Sequence, residues 1–367
     1  MLSENIKKAL LISESRGIDN IFVICISILS LIGLIMVASS TLDYSMQTYK
    51  NAFHLTIRHS IYLALGLSVT FLLARVKLSF YDDYSKIILL FAFIISLLVF
   101  IPGLGKTIKG ATRWIDLGIF TVQAAEVSRL FILIWVSSYI VRKDTEKSFN
   151  KPLIFVIILS TIILLQNDFG SAVVLVSSFL ALSFISGIDL KKFMIWLSVF
   201  LFSALSIAFL TPYRLKRLLS FMNPWEDPTG AGFQLIASEL AFSKGGFFGL
   251  GLGSSVQKLF YLPESYNDFI FAIIAEELGF IGCIFTIVLF SLLFYSAYKL
   301  IRKNKDKFSK YLISGILMIT IMQVILNISV SIGLMPTKGV PLPLISYGGS
   351  SLIFTLGSLG LISGLDR

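Results

Sequence analysis

The sequence lacks most of what a soluble catalyst or metalloprotein is built from. It has two histidines, His54 and His59, and two cysteines, Cys25 and Cys283, in 367 residues. Both cysteines fall inside apolar runs, so they form no disulfide framework, and no ordinary zinc site can be assembled. Charged residues make up only 14% of the chain, against about 25% in a soluble domain. Strict apolar–polar alternation over segments of about ten residues is missing, which argues against a transmembrane β-barrel. No long stretch free of apolar runs remains to form an appended soluble domain.

Apolar runs of spanning length are abundant. Hydrophobic residues make up 56% of the chain and the mean hydropathy is +0.87. Several runs approach the ~20 residues needed to cross a hydrocarbon core. The expected fold class is an all-α polytopic membrane protein with about ten transmembrane helices. The predicted spans are 21–40, 60–76, 87–104, 122–141, 152–167, 169–187, 193–211, 268–298, 311–334 and 346–364. The first is full-length and follows a charged segment, so it reads as an uncleaved span rather than a signal peptide. The expectation is a single membrane domain, 1–367. It has an N-terminal segment, 1–20, and a large extracytoplasmic loop, 212–267, between spans seven and eight.

Net charge is +10. Nucleic-acid binding is one reading; cytoplasmic loops obeying the positive-inside rule are the simpler one. Lys7, Lys8, Arg16, Arg75, Lys77, Lys86, Arg142, Lys143, Lys147, Lys151, Lys191, Lys192, the run from Lys299 to Lys310, and Arg367 put most of the 31 basic residues on the side of the termini, which predicts that both ends are cytoplasmic. The opposite side still carries many Lys and Arg, chiefly in loops 105–121 and 212–267. Long ordered loops tend to be functional, and the composition of 212–267 suggests an ordered extracytoplasmic cap. The glycine-dense run GGFFGLGLGSS (245–255) does not link a strand to a helix, so it reads as a tight loop rather than a nucleotide cradle.

Ionisable groups inside apolar segments are costly and mark a cavity, a pairing or a partner contact. In YLPESYNDFIFAIIAEELG (261–279), Asp268 stands where the eighth span opens. It is either a helix cap or a functional carboxylate. Glu276 and Glu277 read as structural pairs. Glu126 and Arg129 are three residues apart in the fourth span and can pair on one helix face or contact a ligand. Asp168 in QNDFG (166–170) is a turn residue or the wall of an outer cavity. Arg113 and Trp114 in GATRWIDLG (110–118), Arg214, Arg217, Lys258 and Lys338 are solvated charges and their neighbours, or hold an anionic headgroup at the membrane surface. The prolines and Gly348-Gly349 of MPTKGVPLPLISYGGSS (335–351) demand backbone buried in protein or lining a cavity. Together these features suit chemistry on, or movement of, a lipid-linked anion at the outer surface.

Over nearly its whole span pattern the sequence resembles the SEDS family (shape, elongation, division and sporulation), and within it the cell-division branch. The resemblance is densest in FMNPWEDPTGAGFQLIASELAFSKGGFFGLGLGSSVQKLFYLPESYNDFIFAIIAEELG (221–279) and PTKGVPLPLISYGGSS (336–351). Thr337-Lys338-Gly339 resembles the division branch. The resemblance implies a peptidoglycan glycosyltransferase that polymerises lipid II at the outer face of the bacterial cytoplasmic membrane, at the division septum. It implies a class B penicillin-binding protein and other division membrane proteins as partners. No cofactor is required, though a divalent cation can assist; no nucleic acid is involved. Asp268 falls on the family's essential acid. The substrate side is assigned to Lys338, Arg113, Lys258, Arg214, Arg217, Trp114, Glu126, Arg129, Asp168, Gln234, Glu264 and Ser346. Two stretches depart from the usual pattern. Gln123-Ala124-Ala125-Glu126 followed by Arg129 replaces Gln-Pro-Ser-Glu followed by Lys, and Tyr266-Asn267 replaces His-Thr. Two other functions fit a chain of this kind: a lipid II flippase, with a polar path to both faces, and a non-catalytic division-site scaffold, for which Asp268 is dispensable.

Overall fold

A computed structural model describes residues 20–108, 110–118, 121–143 and 149–364. Residues 1–19, most of the N-terminal segment, lie outside these, as do Lys109, Lys147 and Arg367 from the charge count.

The helices are α1 (Asn20–Tyr49), α2 (His54–Leu73), α3 (Leu78–Asp83), α4 (Ser85–Leu98), α5 (Ala124–Arg142), α6 (Asn150–Leu165), α7 (Phe169–Ile185), α8 (Leu190–Leu210), α9 (Pro212–Met222), α10 (Phe233–Gly245), α11 (Ile270–Lys303), α12 (Lys307–Ser331) and α13 (Gly349–Ser363). Each predicted span falls on one apolar helix: α1, α2, α4 to α8, or α11 to α13. By length and composition α1, α2, α5, α8, α11 and α12 are able to cross a membrane, while α4, α6, α7 and α13 are shorter apolar helices.

The helices satisfy their own polar groups, as a lipid setting requires. Ser40 and Thr41 donate back to the carbonyls of Met36 and Val37, and Ser137 and Ser183 do the same one turn back in α5 and α7. The apolar core has two main parts. One joins α1 and α10 to α13; the other joins α4, α6 and α7. α5 contributes to both, which is why its apolar window is 83% buried. α8 is the opposite case. None of its residues is buried and Phe202 is 73% exposed, a surface suited to lipid rather than water.

Two loops show structure that the sequence pattern does not reveal. Loop 105–121 folds into an antiparallel sheet, β1 (Gly105–Ile108), β2 (Ala111–Asp116) and β3 (Thr121–Gln123), in the order β1-β2-β3. It is an exception to the all-α expectation. The run from Lys106 to Asp116 is rich in Thr, Ile and Trp, which favour strands. β3 leads straight into α5, so the sheet fixes where Glu126 and Arg129 begin.

The second loop is 212–267. α10 and the glycine-rich turn after it run along the first turns of α11. Leu250 and Gly251 donate their backbone N–H to the carbonyls of Glu276 and Glu277, and Phe280 and Ile281 donate to those of Gly246 and Phe247. This exchange needs α11 to open at Gly279, whose φ of +70° is left-handed and suits glycine. The carboxylates complete the arrangement. Glu276 accepts from the backbone N–H of Val256 and Gln257 and from the Ser255 hydroxyl. Glu277 accepts from Lys258 Nζ at 2.8 Å and from the Ser39 hydroxyl. The two buried carboxylates are therefore structural pairs that hold irregular backbone inside the protein.

Candidate active site

α11 starts at Ile270 and its cap is Phe269, with no side-chain capping bond. Asp268 sits, half-buried, in the turn just before. That turn is strapped down through three consecutive carbonyls. Tyr347 N–H donates to Tyr266 O (2.9 Å), the Ser346 hydroxyl to Asn267 O (2.6 Å), and Asn327 Nδ2 to Asp268 O (2.8 Å). Asn327 Nδ2 also donates to Val340 O, and Ser346 Oγ accepts from Leu342 N–H. The proline-rich turn 340–347 is thereby tied to the turn that carries Asp268. Its apolar residues Leu342, Leu344 and Ile345 are buried, the last two against Gly33 of α1. Irregular backbone at a span entrance is thus covered by protein, as the prolines demanded.

The same loop lays its backbone against the Asp268 carboxylate and carries a cation one residue away in sequence. Gly339 lies against Asp268, and its neighbour Lys338 places Nζ 3.9 Å from the centroid of the Phe169 ring. The Arg214 guanidinium is 5.0 Å from the same ring, and Arg217 Nη1 donates to Thr337 O at 3.0 Å. Burial, with a smaller push from Arg214, brings the Lys338 ammonium down to a pKa of about 7, against the pull of Asp168. Asp168 caps α7, accepting from Ser171 N–H (3.1 Å) and the Ser171 hydroxyl (2.8 Å). It also accepts from Gln123 Nε2 at 2.6 Å and lies 4.0 Å from Arg113 Nη1. The Nε of Arg113 and Nε1 of Trp114 are buried with no hydrogen-bond partner. Lys338 and Arg214 thus share the Phe169 face, Arg113 stands at the capped Asp168 carboxylate, and Arg217 is tied to the Lys338 loop through Thr337 O and lies 4.8 Å from the Tyr213 ring centroid. Such a cluster can hold an anion through charge-assisted hydrogen bonds.

Glu126 and Arg129 are buried in α5 and line a polar cleft with Thr320 and Gln323 of α12 and Ser351, Thr355 and Ser358 of α13. Ser350 and Ser351 donate to Glu126, while Glu126 Oε2 and Arg129 Nε each keep no hydrogen-bond partner. Both lie within electrostatic reach of Asp168.

Some expected substrate-side residues are placed elsewhere. Lys258 is buried, and its amine is taken by Glu277 and Ser39. Glu264 shapes the turn: it adopts a φ of +58°, and its carbonyl accepts from Asn267 and Phe269 N–H. Ser346 acts on backbone, and Gln234 lies half-buried in the first turn of α10, outside these contacts. The sequence reading missed Phe169, Asn327, Gln123, Ser171 and Gly339. Two of these carried a signal: Asn327 is an amide inside an apolar span, and Phe169 directly follows Asp168. Among the described residues no three His, Cys, Asp or Glu side chains gather in a metal-binding group.

All of these loops lie at one end of the bundle. α5, α7, α11 and α13 begin there, and α8 and α12 end there. The class is a multi-pass helical membrane protein with a carboxylate and a cationic cluster at one membrane face. The chain belongs to the family described as cell cycle protein, which joins FtsW, RodA and SpoVE; the match covers residues 19–367. It is 44% identical to the probable peptidoglycan glycosyltransferase FtsW of Coxiella burnetii over 356 residues, 95% of this chain and 96% of that one. It is 38% identical to the protein of the same description from Saccharophagus degradans, covering 95% and 92%. Among solved structures it is similar to one described as "Structural coordination of polymerization and crosslinking by a peptidoglycan synthase complex" (TM-score 0.80, 24% identity, 96% of this chain and 98% of that one). The rod shape determining protein RodA of Thermus thermophilus gives a TM-score of 0.71 at 22% identity, covering 97% and 98%. The fold is therefore shared with these two structures.

Proposed function

We propose that this protein is a peptidoglycan glycosyltransferase, polymerising lipid II into glycan strands at the outer face of the bacterial cytoplasmic membrane during septal wall synthesis. The description of its relatives supports the reaction class. The observation that supports the site is the approach of Gly339 to Asp268, on the loop whose preceding residue, Lys338, shares the Phe169 ring with Arg214.

The chemistry divides between these groups. Asp268 takes the proton from an acceptor sugar hydroxyl as general base. The hydroxyl oxygen forms the new glycosidic bond at the donor's anomeric carbon. The bond from that carbon to the undecaprenyl pyrophosphate breaks, and the electron pair leaves with the pyrophosphate. Lys338, Arg214, Arg217 and Arg113 stabilise the charge that develops there. A single carboxylate with no second nucleophile suits one displacement with inversion. The reaction requires no cofactor; a divalent cation can accompany the pyrophosphate as part of the substrate. We read the ten apolar helices as spans of one membrane domain, with both termini cytoplasmic. A class B penicillin-binding protein and other division membrane proteins are the proposed partners.

The test is polymerisation of labelled lipid II by the purified protein with its cognate transpeptidase, comparing wild type with Asp268→Asn. Glycan chains from wild type and none from the folded variant are expected. Equal product from both would make Asp268 a turn residue and move the base elsewhere. Failure of both in an intact complex would favour the scaffold or flippase function.

A further inference from the structure

A second cluster reaches Asp268 from residues that take no part in the cationic one. Five of the 13 tyrosines, Tyr44, Tyr49, Tyr62, Tyr266 and Tyr347, lie within electrostatic reach of one another. The rings of Tyr44 and Tyr266 are 5.4 Å apart and their hydroxyls are hydrogen-bonded; those of Tyr266 and Tyr347 are 5.8 Å apart at 79°. The Tyr347 hydroxyl is hydrogen-bonded to the exposed Arg58. Tyr44, Tyr266 and Tyr347 are each only half-buried. Behind them is His59, 6.0 Å from the Tyr347 ring. It is fully buried, yet neither ring nitrogen has a hydrogen-bond partner.

Packing alone does not explain this group. Buried polar atoms are normally satisfied, and an unpartnered one calls for a ligand or ordered water. Tyrosines that merely mark a membrane interface stand at headgroup level towards lipid. Here Tyr266 and Tyr347 turn towards each other and are joined through their backbones, two residues from the reactive carboxylate. Binding sites for small polar molecules combine apolar and aromatic walls with a few placed polar groups. A pyranose ring matches that description: one face of C–H bonds, with hydroxyl and acetamido groups at its rim. The loop that carries Lys338 meets Asp268 at Gly339, and the tyrosines join the turn that carries Asp268 itself through Tyr266, so a pyrophosphate and a sugar would draw on different residues.

We propose that Tyr44, Tyr266 and Tyr347, with His59 behind them, form a subsite for an N-acetylated amino-sugar ring of the acceptor. This rests on the glycosyltransferase reading. Tyr266 occupies the position where the resembling family usually has histidine, so that one ring of the wall departs from the usual pattern.

The experiment is saturation-transfer NMR on the full chain in nanodiscs, with the N-acetylglucosaminyl-N-acetylmuramyl disaccharide lacking lipid and pyrophosphate as probe. Saturation of the sugar ring protons is expected with wild type. Tyr266→Ala and Tyr44→Ala should weaken binding by about fivefold each, the loss of one aromatic contact. Tyr266→Phe, which keeps the ring, should retain most of it. Thermal unfolding midpoints identify folded variants, and Tyr44→Leu serves if an alanine variant does not fold. No saturation with wild type, or equal saturation with wild type and the folded ring-deletion variants, would overturn the proposal. Sugar binding that persists while Asp268→Asn still polymerises would overturn the catalytic assignment and leave the subsite standing.

Discussion

Gly339 touches the Asp268 carboxylate: a Cβ on that glycine would stand 2.9 Å from Oδ2. Both residues are on turns held by the same amide, Asn327, which donates to Asp268 O and Val340 O. The position of the base is therefore set by a second loop rather than by its own helix. Gly339→Ala should push the carboxylate aside without unfolding the chain, since Gly339 is exposed. A misplacement of about 1 Å at a reacting group costs on the order of 100-fold in rate. The expected result is a fall in turnover of that order with an unchanged unfolding midpoint. Full activity would mean that the contact does not position the base.

Lys338 gives a pH dependence with a definite sign. Its ammonium is charged below a pKa of about 7 and neutral above it. The charged form is the one that steadies a leaving pyrophosphate. The kcat/KM for lipid II, which reports the free enzyme, should fall as pH rises through about 7. An anion bound beside the amine favours its charged form, so the corresponding limb of kcat should lie at higher pH. Lys338→Arg stays charged throughout and should abolish the alkaline limb while lowering the rate, because Arg does not reproduce a compact ammonium. An unchanged limb in that variant would assign the titration to another group.

Lys258 and Glu277 should separate stability from catalysis. Their 2.8 Å pair is buried on both sides. Removing one partner leaves a buried charge and costs about 3–5 kcal/mol, whereas replacing both by apolar residues is often neutral. Lys258→Met should lower the unfolding midpoint sharply, and the double change with Glu277→Leu should recover much of the loss. If Lys258 instead served the pyrophosphate, the double variant would regain stability yet show a raised KM for lipid II.

The fate of Lys258 shows where a sequence is legible and where it stops. The spans could be read because each is a local apolar run, and the pairing of Glu276 and Glu277 could be read because lone carboxylates at that depth are too costly. The choice of Lys258 as the partner could not. It depends on α10 and the glycine-rich turn folding back along α11, and on Gly279 opening that helix; no periodicity records this. The sheet over 105–123 was hidden for a different reason. Its strands have only 4, 6 and 3 residues and are too short for alternation to declare itself. The motif marked Asp268, but not its surroundings. Ser346 and Asn327 act on carbonyls from residues 79 and 59 positions away, a relation only the folded chain contains.

Phe169 offers the sharpest test of the anion site, because it carries no charge and touches two cations. Lys338 Nζ and the Arg214 guanidinium stand 3.9 and 5.0 Å from its ring centroid. Two like charges would otherwise repel, and the electron-rich ring face holds both while leaving their remaining donors for a ligand. Each such contact contributes about 0.5–2 kcal/mol, more as water is excluded. Phe169→Leu keeps the apolar volume but removes the ring face. Lys338 and Arg214 should then spread apart, and KM for lipid II should rise by about tenfold, the equivalent of ~1.4 kcal/mol. The effect on kcat should be at least as large if the cations act on the leaving pyrophosphate rather than on the resting substrate. A rise in KM alone would make the cluster a docking site for the headgroup. A fall in kcat together with kcat/KM would place it at the departing phosphate. No change in either would detach Phe169 and its two cations from the reaction.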